Sequence, residues 1–120
     1  MLKIAIDGPA GSGKSTISKI IATKLGIEYI DTGAMYRAIT LKAIKLGINI
    51  DDENQYNFLE STSLDICNGR FIMDGVDVSD EIRSVEVTNA VSTPSKMARV
   101  REYLVEYQQK ISNSKNCIMD

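Results

Sequence analysis

The chain of 120 residues has no histidine, and its two cysteines, Cys67 and Cys117, stand far apart with no C-x-x-C pair. A cysteine/histidine zinc site is therefore not available. Both cysteines fall in apolar stretches, which suits small buried hydrophobes in a reducing compartment. No apolar run approaches the roughly 20 residues that cross a bilayer. The opening MLKIAIDG turns polar too soon for a signal peptide, so the cytoplasm is the expected address and no membrane partner is expected. A basic excess is missing too: 14 Lys and Arg face 16 Asp and Glu, for a formal charge of −2. That balance argues against a bulk nucleic-acid binder, while leaving room for a local basic pocket that holds a small anion. What is present, 43% hydrophobic and 25% charged residues, is the composition of a soluble globular chain with enough core for one ordinary domain.

The apolar pattern alternates between strand and helix. LKIAI (2–6) reads as a buried strand bounded by Asp7-Gly8-Pro9. From Lys14 to Leu25, Ile17, Ile20, Ile21 and Leu25 recur at helical spacing, and Gly26 supplies a stop. IEYI (27–30) is a second strand, followed by a helix over 33–46 with Met35, Ile39, Ala43 and Leu46 on one face. This β-α-β-α order predicts an α/β fold, a parallel sheet flanked by helices. The middle differs. A short helix near 53–61 precedes LDIC, RFIM and VDVS, three brief strands separated by Asn68-Gly69 and Asp74-Gly75. Those dipeptides are hairpin signals, so a small antiparallel β insert is expected over about 63–79. A helix around 83–91 follows, and Thr93-Pro94 marks a fresh helix start with a hydroxyl at its cap. Met97, Val100, Leu104 and Ile111 supply that helix with a buried stripe, and Glu106 and Lys110 an i,i+4 pair outside. NCIMD (116–120) resembles another interior strand, with nothing after it to finish a ligand crevice, so the chain is expected to be a fragment.

GPAGSGKST (8–16) matches G-x-x-x-x-G-K-[ST] at Gly8, Gly13, Lys14 and Ser15, after a strand and opening a helix. Such a P-loop curls so that backbone N–H groups meet phosphate oxygens at the positive end of a helix. Lys14 reaches the outer phosphates, and the Ser15 hydroxyl suits Mg²⁺. A dinucleotide turn read from Gly11 and Gly13 would need glycine at position 16, where Thr16 stands. A GTP switch is disfavoured because no aspartate has glycine three residues later and N-K-x-D is absent. A small kinase, with its acceptor site near the P-loop, fits best.

DTGAMYR (31–37) then falls at the carboxyl end of the second strand, on the sheet edge that also carries the P-loop. Arg37 offers a rigid fork for an acceptor's phosphate, or a solvated helix charge. Tyr36 offers a stacking face for a base, or half-buried packing. Gly33 allows close backbone approach. Thr32 either caps the helix or touches the ligand, and Asp31 forms the turn.

IAIDGPAGSGKST, DTGAMYR, DGVDVSDEIRSVEVTNAVS and ARVREYLVEYQQ, in that order, resemble the bacterial cytidylate kinases, a nucleoside monophosphate kinase family, over nearly the whole chain. The resemblance implies transfer of a phosphoryl group from ATP to CMP or dCMP with Mg²⁺, by a monomer. It implies that Gly8, Pro9, Ala10, Gly11, Ser12, Gly13, Lys14, Ser15 and Thr16 bind ATP. Thr32, Tyr36 and Arg37 would meet the monophosphate, with Lys14 and Arg37 as the catalytic cations. Ser92 and Arg101 would reach the cytosine, or else Ser92 merely precedes a helix and Arg101 merely borders the buried stripe; Ser15 with Asp120 would hold the metal, Asp120 being equally a structural acid, and Arg83 is equally a surface charge. It divides the chain into a P-loop part (1–31 and 114–120) and a monophosphate-binding part (32–113) containing the β insert. The resemblance leads us to expect that the family's C-terminal core and its lid, with its arginines, fall outside these 120 residues. These residues alone are therefore expected to bind nucleotide weakly and turn over poorly. A kinase for another monophosphate and a nucleotide-binding module without catalysis are the alternatives.

Overall fold

The computed structural model describes residues 3–5, 14–114 and 116–119. In chain order its elements are β1 (Lys3–Ala5), α1 (Lys14–Leu25), β2 (Glu28–Ile30), α2 (Thr32–Leu46), β3 (Leu64–Cys67), β4 (Arg70–Met73), β5 (Val76–Asp77), α3 (Val85–Ala90), α4 (Ala98–Ser114) and β6 (Cys117–Met119). 3-10 segments lie at Glu53–Ser61, kinked at Tyr56, and at Glu81–Arg83 and Pro94–Lys96. The fold is α/β. A parallel sheet of order β1-β6-β2 carries helices, and a separate antiparallel sheet runs β3-β4-β5.

β6 lies between the other two parallel strands, and Cys117 and Ile118 are buried there, as suits an interior strand covered by helices. In the antiparallel sheet the alternation is one-sided. Leu64 and Ile66 pair across with Met73 and Phe71, and all four are buried. Asn68-Gly69 and Asp74-Gly75 have φ of 51° and 77°, and of 51° and 82°, the left-handed pair that a two-residue hairpin turn requires. The same period of two corrects the reading of Cys67. It alternates outward beside Asp65 and is exposed, whereas Cys117 is buried as expected.

The stripe read on α1 is corrected as well. Ser18 and Ala22, one turn apart, are the buried positions, while Ile17, Ile20 and Leu25 are about half exposed. Among the described residues the helix packs on β2 and β6, so one side alone is covered. On α2, Met35, Ile39 and Ala43 are buried as read, but Leu46 at the helix end is exposed. Thr93 does not cap α4. It precedes the one-turn segment Pro94–Lys96, and α4 begins only at Ala98, after Met97 has returned to extended backbone. Glu53 supplies the terminal partner instead, accepting from Arg99 N at 3.0 Å, while the Arg99 guanidinium donates to Glu53 O and Asn57 Oδ1. Met97, Val100, Leu104 and Ile111 form the buried stripe of this region as expected. Glu106 and Lys110 form no ion pair among the described residues.

α2 is tied to the hairpin by Lys42, whose Nζ donates to Asp74 Oδ2 at 2.6 Å and Thr62 Oγ1 at 2.8 Å. The Lys42 ammonium first, and then Ser63 N donating to Asp74 Oδ1 at 2.9 Å, hold the Asp74 carboxyl below its ordinary range. Tyr56 is fully buried and donates to Ile50 O at 2.7 Å. Burial, with the Asp51 carboxylate nearby, pushes its phenol up to about 12.

Candidate functional site

The register of the parallel sheet sets the site. Met119 is level with Ala5 on one side and with Ile30 on the other. All three strands therefore end at one edge, and neighbouring strands stand ~4.8 Å apart. In sequence GPAGSGKST follows β1 and DTGAMYR follows β2, so the strands that precede the two predicted phosphate-binding stretches end at one edge, roughly 10 Å apart. In open parallel sheets this carboxyl edge is where ligands bind.

Gly8, Pro9, Ala10, Gly11, Ser12, Gly13 and Asp120 lie outside the described residues. Lys14 and Ser15 are described only as the first residues of α1. Thr16 is exposed in the first turn of that helix.

α2 begins where β2 ends, and Asp31 is its N-cap. Its backbone is extended, at φ −85° and ψ 104°, and its carboxylate accepts from Ala34 N at 3.4 Å. Thr32 is thus the first helical residue, and the capping role open to it in the sequence belongs to Asp31. Gly33 lies tight beneath this cap: a Cβ there would stand 3.2 Å from Asp31 Oδ1. Arg83 Nη2 lies 3.8 Å from Asp31 Oδ2, so this arginine reaches the start of α2 while staying largely exposed. Tyr36 is half-buried against the core.

One turn into α2, Arg37 is partly buried. Its Nη1 donates to Ile82 O at 3.3 Å and to Thr88 Oγ1 at 2.9 Å. Nε and Nη2 have no protein partner among the described residues. Sequence reasoning singled out Arg37 but missed the two groups that hold it. Thr88 carries no signal beyond a hydroxyl on a short helix.

Ser92 is exposed in the turn between α3 and Pro94. Arg101 is exposed on the first turn of α4, where it lines a groove of about 430 Å³ with Glu102, Val105 and Gln109. Neither is hydrogen-bonded to Thr32, Tyr36 or Arg37 among the described residues. Also among the described residues, no group of three or more acidic, cysteine or histidine side chains could hold a metal ion, and no helix is long and apolar enough to cross a membrane.

The cytidylate kinase of Clostridioides difficile (strain 630) is 47% identical over 120 residues, covering 99% of this chain and 56% of its own length. The cytidylate kinase of Acholeplasma laidlawii (strain PG-8A) is 52% identical over 118 residues, covering 98% of this chain and 53% of its own length. That of Caldanaerobacter subterraneus subsp. tengcongensis is 48% identical over 120 residues, with 99% and 54% covered. The chain spans about half the length of the curated relatives it matches. The family model for cytidylate kinase matches residues 4–120, nearly the whole chain, and the chain therefore belongs to the cytidylate kinase family.

Proposed function

We propose that these residues form the ATP-binding and monophosphate-binding half of a kinase that phosphorylates CMP or dCMP. The observation that carries this reading is Arg37, one turn into the helix that follows β2, held through Nη1 with no protein partner on Nε or Nη2 among the described residues. Residues 1–31 and 114–120 make up the nucleotide-donor part, and residues 32–113 the acceptor part with the β3–β5 sheet. Mg²⁺ enters with ATP as its substrate complex, and Ser15 and Asp120 are its proposed partners. Ser92 and Arg101 are the proposed readers of the base.

The reaction is an in-line displacement. An oxygen of the acceptor monophosphate attacks the γ-phosphorus of ATP, a new P–O bond forms, and the bond to the β,γ-bridging oxygen breaks to release ADP. No covalent enzyme intermediate is needed. Two anions must approach within bonding distance, so the protein's contribution is positioning and neutralising charge. Arg37 does this for the acceptor and Lys14 for the donor. A guanidinium suits the acceptor because its planar fork meets two phosphate oxygens at once.

The test is ADP formation by the complete gene product with CMP, dCMP, UMP, AMP and TMP as acceptors, for the natural sequence and Arg37→Ala. CMP and dCMP are expected as the best acceptors, and Arg37→Ala is expected to raise KM for CMP by roughly tenfold or more. Preference for AMP or TMP, or an unchanged KM in Arg37→Ala, would overturn the reading.

A further inference from the structure

An arginine that must meet a phosphate has a problem of its own: four rotatable bonds separate the fork from the backbone, and freezing them on binding weakens affinity. In this structure much of that freezing is already done. The two acceptors on Arg37, Ile82 O and Thr88 Oγ1, match the two hydrogens of Nη1. A single acceptor would leave the guanidinium plane free to swing about one bond. Two, at 3.3 Å and 2.9 Å from the same nitrogen, fix the plane.

Both acceptors come from one short stretch rooted in the core. Ile82 and Val87 are each 1% exposed, and the segments that carry them pack on α2. Ser84 caps α3 by accepting from Val87 N at 3.3 Å, and Thr88 N donates to Ser84 O at 3.0 Å. The backbone that presents the Thr88 hydroxyl is thus set by buried side chains on either side of a cap, although Thr88 itself is exposed. Its shorter bond makes it the firmer of the two anchors.

We propose that Thr88 is a positioning residue: its hydroxyl, with Ile82 O, holds Nη1 of Arg37 so that the Nε–Nη2 edge is presented to the phosphate of the acceptor before that acceptor arrives. This rests on the reading of Arg37 as the acceptor-phosphate clamp. Thr88 touches no substrate and acts through Arg37 alone. Its loss therefore weakens recognition of the phosphate and leaves the nucleoside and the donor untouched.

The experiment uses the complete gene product, four single variants and one double variant. Thr88→Val and Thr88→Ala remove the acceptor by two routes, Thr88→Ser keeps it, and Arg37→Ala removes the clamp. Both acceptor-removing variants are expected to raise KM for CMP about five- to tenfold. KM for ATP and inhibition by cytidine, which has no phosphate, should stay as in the natural sequence. Thr88→Ser should stay within about twofold of the natural KM, the residual loss reflecting a freer hydroxyl. In an Arg37→Ala background, Thr88→Val should add nothing, because residues acting through one group are not additive. An unchanged KM for CMP in both Thr88→Val and Thr88→Ala would overturn the proposal. So would equal weakening of cytidine, or an additive loss in the double variant. If Arg37→Ala leaves KM for CMP unchanged, the clamp reading itself fails. If Arg37→Ala raises it and the two acceptor-removing variants do not, the positioning role alone falls.

Discussion

Asp31 has two neighbours to satisfy with one carboxylate. It caps α2 through Ala34 N and lies 3.8 Å from the Arg83 guanidinium. The cap needs an oxygen but no charge, and the arginine needs the charge, so two substitutions separate them. Asp31→Ala is expected to lower stability by about 1 kcal/mol in urea unfolding, the usual loss for an N-cap. Asp31→Asn should lose less than about half of that, because asparagine caps equally well and a long, exposed ion pair contributes little. Equal losses in the two variants would show that the charge matters more than the cap. Sequence spacing made part of this corner legible: DTGAMYR put an acid at a strand end and an arginine one turn into the helix, and both are there. Thr88 was not legible. Its bond to Arg37 spans 51 residues, and nothing in the local pattern of VEVTNA distinguishes that hydroxyl from any other on a helix.

The third strand of the antiparallel sheet is only two residues long, and a carboxylate at its end holds it. Asp77 accepts from Ser79 N at 2.9 Å and from Arg70 Nε at 3.0 Å, while Ser79 Oγ accepts from Phe71 N at 2.9 Å. These bonds, those from Ser79 first, hold the Asp77 carboxyl down at about 2. A depressed acid supports the folded state fully above the unfolded value of 3.8, and that support fades as the pH falls toward about 2. NMR titration of the Asp77 carboxyl carbon is expected to give a midpoint near 2, moving upward in Ser79→Ala. A midpoint of 3.8 in the natural sequence would refute the tie. The hairpins themselves were readable because their turns depend on the chemistry of two residues each, Asn68-Gly69 and Asp74-Gly75. Helix α1 was half readable. Its span follows from local periodicity, but which side is covered depends on what packs there, and Ser18 and Ala22 do so in place of Ile17 and Ile20. Pro94 misled in the same way. A proline after a hydroxyl permits a helix start, and here the start lasts one turn before Met97 breaks it.

The parallel sheet depends on residues from opposite ends of the chain. β1 and β2 each pair with β6 and not with one another. That NCIMD forms an interior strand was readable from its apolar run. That it divides the first two strands was not, since strand order is a property of the crossovers and not of any strand. A chain shortened to end at Asn116 would leave β1 and β2 with no hydrogen-bonded strand neighbour among the described residues and remove buried Cys117 and Ile118 from beneath the helices. Such a chain is expected to lose cooperative thermal unfolding, followed by circular dichroism. A melting midpoint equal to that of the 120-residue chain would overturn the assignment of β6 as the keystone. The same arrangement bears on how the protein is made. At roughly 5–20 residues per second, a ribosome that has released Ala5 needs on the order of 6–22 seconds to reach Cys117. Throughout that delay the newborn β1 lacks the one strand it pairs with among the described residues. Holding factors that bind emerging apolar peptide have their opening then.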